Sequence, residues 1–373
     1  MIFVNCLAGV KGIPAWARHM PADADAMSFV DVVFPAFLFI VGMSIPAALH
    51  ARAQRGDNLP TLRLHIFARA GALIVLGVFM VNTEDGFNEA RMPISIHLWA
   101  LLVYLCAFLI WGQARRLSDR GLPIRRAIGT LGLLVLFAVF RGGDGNQAMT
   151  PQWWGILGLI GWAYLIVSLI YLTVSDRLPI LLGLMLGCSL YFVANRSAAI
   201  AGVPGLATLF SQFDAASDSG MLLAGLITAL LFHGKPQAPL ATPRWRAIVA
   251  LLIAMLALGT LLRPAYGISK IHATPSWCLY SSAICVAVYA VVYRWVDVRG
   301  WQGWRPALAA VAEQPLLTYL IPFVIEEGMG YARLDWPAVF GEGWVGVLWS
   351  AAYTAIVVAL ARGLVQRGVR MKL

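Results

Sequence analysis

Three stretches of this chain, 29–49, 155–173 and 276–293, are nearly unbroken apolar runs. Each is close to the roughly 20 residues that a helix needs to cross a bilayer. Composition points the same way: of 373 residues 60% are hydrophobic and only 12% charged, and the mean hydropathy is +0.76. A soluble domain of this size carries about a quarter charged residues. The expected fold is all-α, a polytopic integral membrane bundle of about 11–12 transmembrane helices in one domain over 1–373.

Runs and breakers predict spans near 1–10 (partial), 29–50, 66–82, 94–112, 124–140, 153–173, 179–194, 219–233, 246–262, 276–294, 306–325 and 343–361. Charge tests this parity independently of hydropathy. Loops 51–65, 113–126, 174–178, 234–246, 295–313 and the C-terminus, with their span edges, carry 20 basic and 5 acidic residues. The opposite side carries 8 basic and 13 acidic residues. Positive residues stay cytoplasmic, so the first set and both termini are expected in the cytoplasm and loops 11–28 and 195–218 outside. The same distribution accounts for the net charge of +10 without nucleic acid.

Other signals are negative or local. Cys6, Cys106, Cys188, Cys278 and Cys285 show no CxxC pair or metal-ligand spacing and read as packing residues. No Walker A loop, HExxH or aromatic-interleaved basic helix is present, and neither a metal nor a nucleic-acid partner is expected. A helix over residues 1–10 is about 15 Å long, half a bilayer, so Met1 is expected to lie inside the first helix of a longer product.

Polar residues in or against hydrocarbon are expensive and mark candidate sites. Asn5, His19, Asp23, Asp25 and Asp31 form the first cluster, at the outer edge. A histidine can take a proton from a hydroxyl or amine while a carboxylate or amide fixes its tautomer. The alternative is an interfacial His, a helix-capping Asp31 and an Asn5 that joins helices. A second cluster, Arg141, Asp144, Asn146 and Gln147 followed by Trp153 and Trp154, reads first as an interfacial, structural one. The third, ISKIHATPSW at 268–277, holds Lys270, His272, Thr274, Ser276 and Trp277, and Lys270 is a candidate anion holder. Glu326 and Glu327 read as solvated loop charges.

At the first cluster a family resemblance emerges. Asn5, His19 and SFVDVVFPAFLFIVGMSIP at 28–46 resemble the bacterial relatives of heparan-alpha-glucosaminide N-acetyltransferase, transmembrane acyltransferases also labelled as a domain of unknown function. WWGILGLIGWAYL at 153–165 and GISKIHATPSWCL at 267–279 are similar to further segments of that family. The resemblance implies a bundle of eleven or twelve helices that passes an acetyl group from cytosolic acetyl-CoA to an acceptor on the outer face. It implies a bacterial inner membrane and assigns catalysis to Asn5 and His19, the histidine as general base or as acyl carrier; the chemistry of such a histidine adds Asp31 as the carboxylate to hold the imidazole. Position and polarity nominate Trp154, Lys270, Ser276 and Trp277 for donor binding. Expected partners are membrane lipids and a glycan or amino-sugar acceptor, and a homodimer stays open. The rivals are a transporter or flippase, which would place ionisable groups near the midplane, and an inactive scaffold.

Overall fold

The computed structural model describes residues 1–113, 121–150, 155–195, 215–234 and 242–373. In chain order the helices are α1 (Ile2–Ala8), α2 (Phe29–Gln54), α3 (Leu59–Glu84), α4 (Ile96–Trp111), α5 (Leu122–Val139), α6 (Ile156–Val174) and α7 (Leu178–Asn195). They continue as α8 (Ala215–His233), α9 (Trp245–Tyr266), α10 (Pro275–Tyr293), α11 (Arg305–Glu313), α12 (Pro315–Tyr331) and α13 (Gly343–Gln366). Among the described residues nine helices are long and apolar enough to cross a membrane, and α4 is a shorter apolar one. The chain is a polytopic helical membrane protein. Its only sheet among those residues pairs Gly112–Gln113 antiparallel with Arg370–Met371.

One expected span needs correction. The run 306–325 is not a single helix: α11 ends at Glu313 and α12 begins at Pro315, with Gln314 between them at φ −132, ψ 60. Pro315 has no N–H to continue a helix and disfavours helical geometry in the residue before it. The Gln314 side chain then accepts the Met371 N–H at 2.8 Å, tying the break to the C-terminal strand.

Backbone contacts divide the chain into two compact units. One comprises Met1–Ile13, Ala72–Gly158 and Gln302–Leu373. There α4 packs on α5 and α12, and α13 packs on α1, α11 and α12. Trp99, fully buried, stacks on Phe79 with centroids 5.6 Å apart, contacts Phe140 at 5.3 Å and donates its indole N–H to the Leu136 carbonyl. Gly77 and Gly158 meet backbone to backbone, where any Cβ would collide. In the second polar cluster Gly142 bridges to Phe87 and Gln147, while Asn88 binds the Arg141 and Gly143 carbonyls, so this segment is a hydrogen-bonded turn. Trp153 and Trp154 lie outside the described residues.

The second unit comprises Pro14–Gly71 and Leu159–Trp301. Its central helix is α8, 83% buried over its apolar window and packed on α2, α7, α9 and α10. Gly42 of α2 rests on the backbone of Leu222, and Gly225 of α8 rests on that of Phe39. Small residues let two helices approach this closely where lipid supplies no hydrophobic drive for association. α9, on the periphery, buries Ile248, Leu251 and Met255 and exposes Val249, Ile253 and Leu261, as a lipid-facing helix does.

Candidate functional site

The first turn of α2 positions the site in the second unit. Ser28 caps the helix: its hydroxyl accepts the Val30 N–H at 3.1 Å, and Asp31 accepts the Ser28 N–H in return at 3.0 Å. This reciprocal cap fixes the carboxylate's rotamer. Asp31 Oδ2 also accepts the Met20 N–H at 3.2 Å and the Ser28 hydroxyl at 3.2 Å, leaving Oδ1 for His19 Nδ1 at 2.7 Å. The Asp31 side chain is 2% exposed and that of His19 36%. A carboxylate only accepts, so Nδ1 donates to Asp31, and Nε2 is the ring nitrogen left for other partners.

Asp31 therefore acts as both helix cap and histidine partner, two roles the sequence alone left as alternatives. Replacing it by Asn keeps its volume but offers one acceptor oxygen where four donors converge, and turns an amide donor toward them. Asp31→Asn is expected to cost about 2 kcal/mol, read as a lowered thermal unfolding midpoint.

The loop after α9 closes the other side. Lys270 Nζ lies 3.3 Å from His19 Nδ1 and 3.4 Å from Nε2, almost equidistant and so not aligned with one lone pair. Burial pushes the Lys270 ammonium below its usual 10.5, opposed by the negative charge of Asp31. The loop's shape comes from Gly267, at φ +63, and from Thr274, whose hydroxyl donates to the Gly267 carbonyl at 3.1 Å and accepts the Ser269 N–H at 3.0 Å. Ser276 and Trp277 are buried just beyond it. The Trp277 indole N–H donates to the Asp31 carbonyl at 3.2 Å, and the Ser276 hydroxyl has no hydrogen-bond partner. His272 is exposed.

Three contacts absent from the sequence assignments pin the His19 loop. Asp25 pairs with Arg263 of α9, Nε to Oδ2 at 3.0 Å, and accepts the Ile268 N–H at 2.8 Å. Ser269 donates its hydroxyl to the Ala22 carbonyl at 3.1 Å. Asp25 stood out as polar, but nothing local in the sequence pairs it with a residue 238 positions away. The Arg263 hydrogen bond, with help from Ile268, holds the Asp25 carboxyl below its usual 3.8. This contribution is complete above the ordinary value and disappears as pH falls through the lowered one. Hydrogen exchange of residues 14–28, corrected for intrinsic rate, is expected to accelerate on acidification from about pH 5 to pH 2. Arg263→Ala should remove most of that pH dependence.

His19, Asp31 and Lys270 thus come together. Asn5 belongs to the other unit, exposed on α1. Trp154 lies outside the described residues. Glu326 and Glu327 are not loop charges: both belong to α12, which continues to Tyr331, and Glu327 Oε2 lies 2.8 Å from His97 Nδ1. Their acidity hid the helix, because an apolar-run criterion ends the span before them.

The family model described as Domain of unknown function (DUF5009) matches residues 7–203, more than half of the chain. The matched residues include His19 and Asp31 and exclude Asn5, Lys270, Ser276 and Trp277. No curated protein matches the chain.

Proposed function

We propose that this chain, which belongs to the DUF5009 family, is a membrane acyltransferase that moves an acetyl group from acetyl-CoA to an amino-sugar or glycan acceptor, with His19 as general base. The observation that carries the reading is the buried, four-times hydrogen-bonded Asp31 holding His19 through Nδ1, with Lys270 beside the ring. The resemblance of 28–46 and 267–279 to the acetyltransferase family points the same way, because both segments meet at this site.

In the reaction, Nε2 takes the proton of the acceptor amine or hydroxyl as its nitrogen or oxygen attacks the thioester carbonyl. The C–S bond breaks, and the departing thiolate recovers that proton from the imidazolium. Asp31 holds the ring and offsets its transient charge. Lys270 is placed to stabilise the carbonyl oxygen as it becomes negative. Of the donor-binding candidates, Lys270 lies beside the His19 ring, whereas Trp277 is a positioning residue acting through Asp31. An apolar groove of about 380 Å3, lined by Met27, Ser28, Val32 and Ile284, starts at the capped turn and suits an acyl or pantetheine chain. The charge asymmetry supports donor entry from a cytoplasmic side rich in Lys and Arg.

The test is transfer of labelled acetyl from acetyl-CoA to a panel of amino sugars and envelope glycans by the purified full chain in nanodiscs. Acceptor-dependent product is the expected result. A folded preparation that neither binds nor consumes the donor overturns the reading, and an acetylated histidine formed without acceptor replaces direct transfer by a two-step route.

A further inference from the structure

The unit that contains Asn5 has a cavity of about 300 Å3 whose lining includes Asn5, Glu84, Tyr319, Phe323, Glu326 and Tyr353. Its charge is one-sided. Glu84 and Glu326 reach it from α3 and α12, and Glu327 is close enough to both to repel them. No lysine or arginine lines it. His97, bonded to Glu327, is the only basic partner these three carboxylates have among the described ion pairs. Like charges confined between helices repel far more strongly than they do in water. A bound cation removes that cost, as a proton would.

A second observation is independent of the carboxylates. Tyr353 is 5% exposed and lines the cavity, and its buried hydroxyl has no hydrogen-bond partner. The group interacts electrostatically with Glu326 and Cys6, which line the same cavity. Buried hydroxyls are nearly always paired, so an unpaired one on a residue that lines a cavity points to a missing partner.

The lining also discriminates between cations. No group of three or more Asp, Glu, His or Cys among the described residues converges tightly enough for a metal ion. Space remains instead for an organic group, beside the aromatic rings of Tyr319 and Phe323, whose centroids are 5.1 Å apart. Such rings attract ammonium ions through their faces.

We propose that this cavity binds a small organic ammonium group, its N–H bonds directed to Glu84, Glu326 and the Tyr353 oxygen. The inference goes beyond acyl transfer, since it requires neither His19 nor a thioester. A free amine and an aminophospholipid headgroup share this chemistry.

The experiment is thermal unfolding of the purified full chain, titrated with ethanolamine hydrochloride in neutral detergent. Ethylene glycol and sodium chloride at matched concentration serve as the neutral isostere and the salt control. Ethanolamine is expected to raise the midpoint saturably and the controls to leave it unchanged. Glu84→Gln and Glu326→Gln should each weaken the apparent affinity about tenfold or more, and Tyr353→Phe a few-fold. Nanodiscs of phosphatidylethanolamine and of phosphatidylcholine separate the sources. A raised midpoint in the former that abolishes the ethanolamine response identifies a lipid headgroup, and a response that persists identifies a free amine. The proposal is overturned if wild-type protein responds to ethanolamine no more than to either control, a comparison that needs no variant. It is equally overturned if both Gln variants titrate like wild type.

Discussion

His19→Ala is expected to lower acetyl transfer by roughly 10²- to 10⁴-fold, the usual contribution of a positioned general base. The fold should survive, because the His19 side chain is partly exposed and the backbone of its loop is held by other residues: Asp25 on Arg263 and Ile268, and Ser269 on Ala22. The discriminating variant is His19→Gln, which can still give Asp31 a hydrogen bond but cannot shuttle a proton at neutral pH. If transfer falls with both substitutions while the unfolding midpoint is kept, the ring is chemical. Retention of transfer in His19→Gln would leave it a structural donor to Asp31, and the acyltransferase reading would lose its base.

The second large effect concerns stability. Gly225→Val places a branched side chain against the Phe39 backbone, which cannot swing aside as a side chain can. The α2–α8 contact must open, at a cost of about 3 kcal/mol. Because α2 carries Asp31, the His19 site should loosen along with it. Gly183→Ala on α7 is the control: nothing lies within 4 Å of the added Cβ, so the better helix former should be neutral or slightly stabilising. Thermal unfolding of the two variants in the same detergent separates close packing from a general intolerance of change at glycine. Equal midpoints would contradict the packing account.

Helix positions were legible because membrane spans are written in long apolar runs, and eleven of the expected runs correspond to single helices. The exception, 306–325, failed because its break depends on Pro315 and on a glutamine tied to the distant Met371. An apolar count does not register either. At the site, His19 and Asp31 were legible because they are near in sequence and sit at a capped helix start. The Asp25–Arg263 pair was not, because it joins residues on separate elements whose meeting is decided by packing. Cavity residues Glu84 and Tyr353 gave no sequence signal: a carboxylate at a span's end and a tyrosine among apolar neighbours have ordinary interfacial explanations.

The polar ties between the His19 loop and the segment 263–274 bear on how the protein is made. Arg263 follows Asp25 by 238 positions, so Arg263, Ile268, Ser269 and Lys270 leave the ribosome long after His19 and Asp31. Until then the loop lacks its distant anchors and the histidine is tethered from one side alone. Contacts so far apart along the chain are late events in folding. A nascent chain that has not yet reached Lys270 therefore carries His19 without the second wall of its surroundings, and the cluster is complete only once the 263–274 segment is in place.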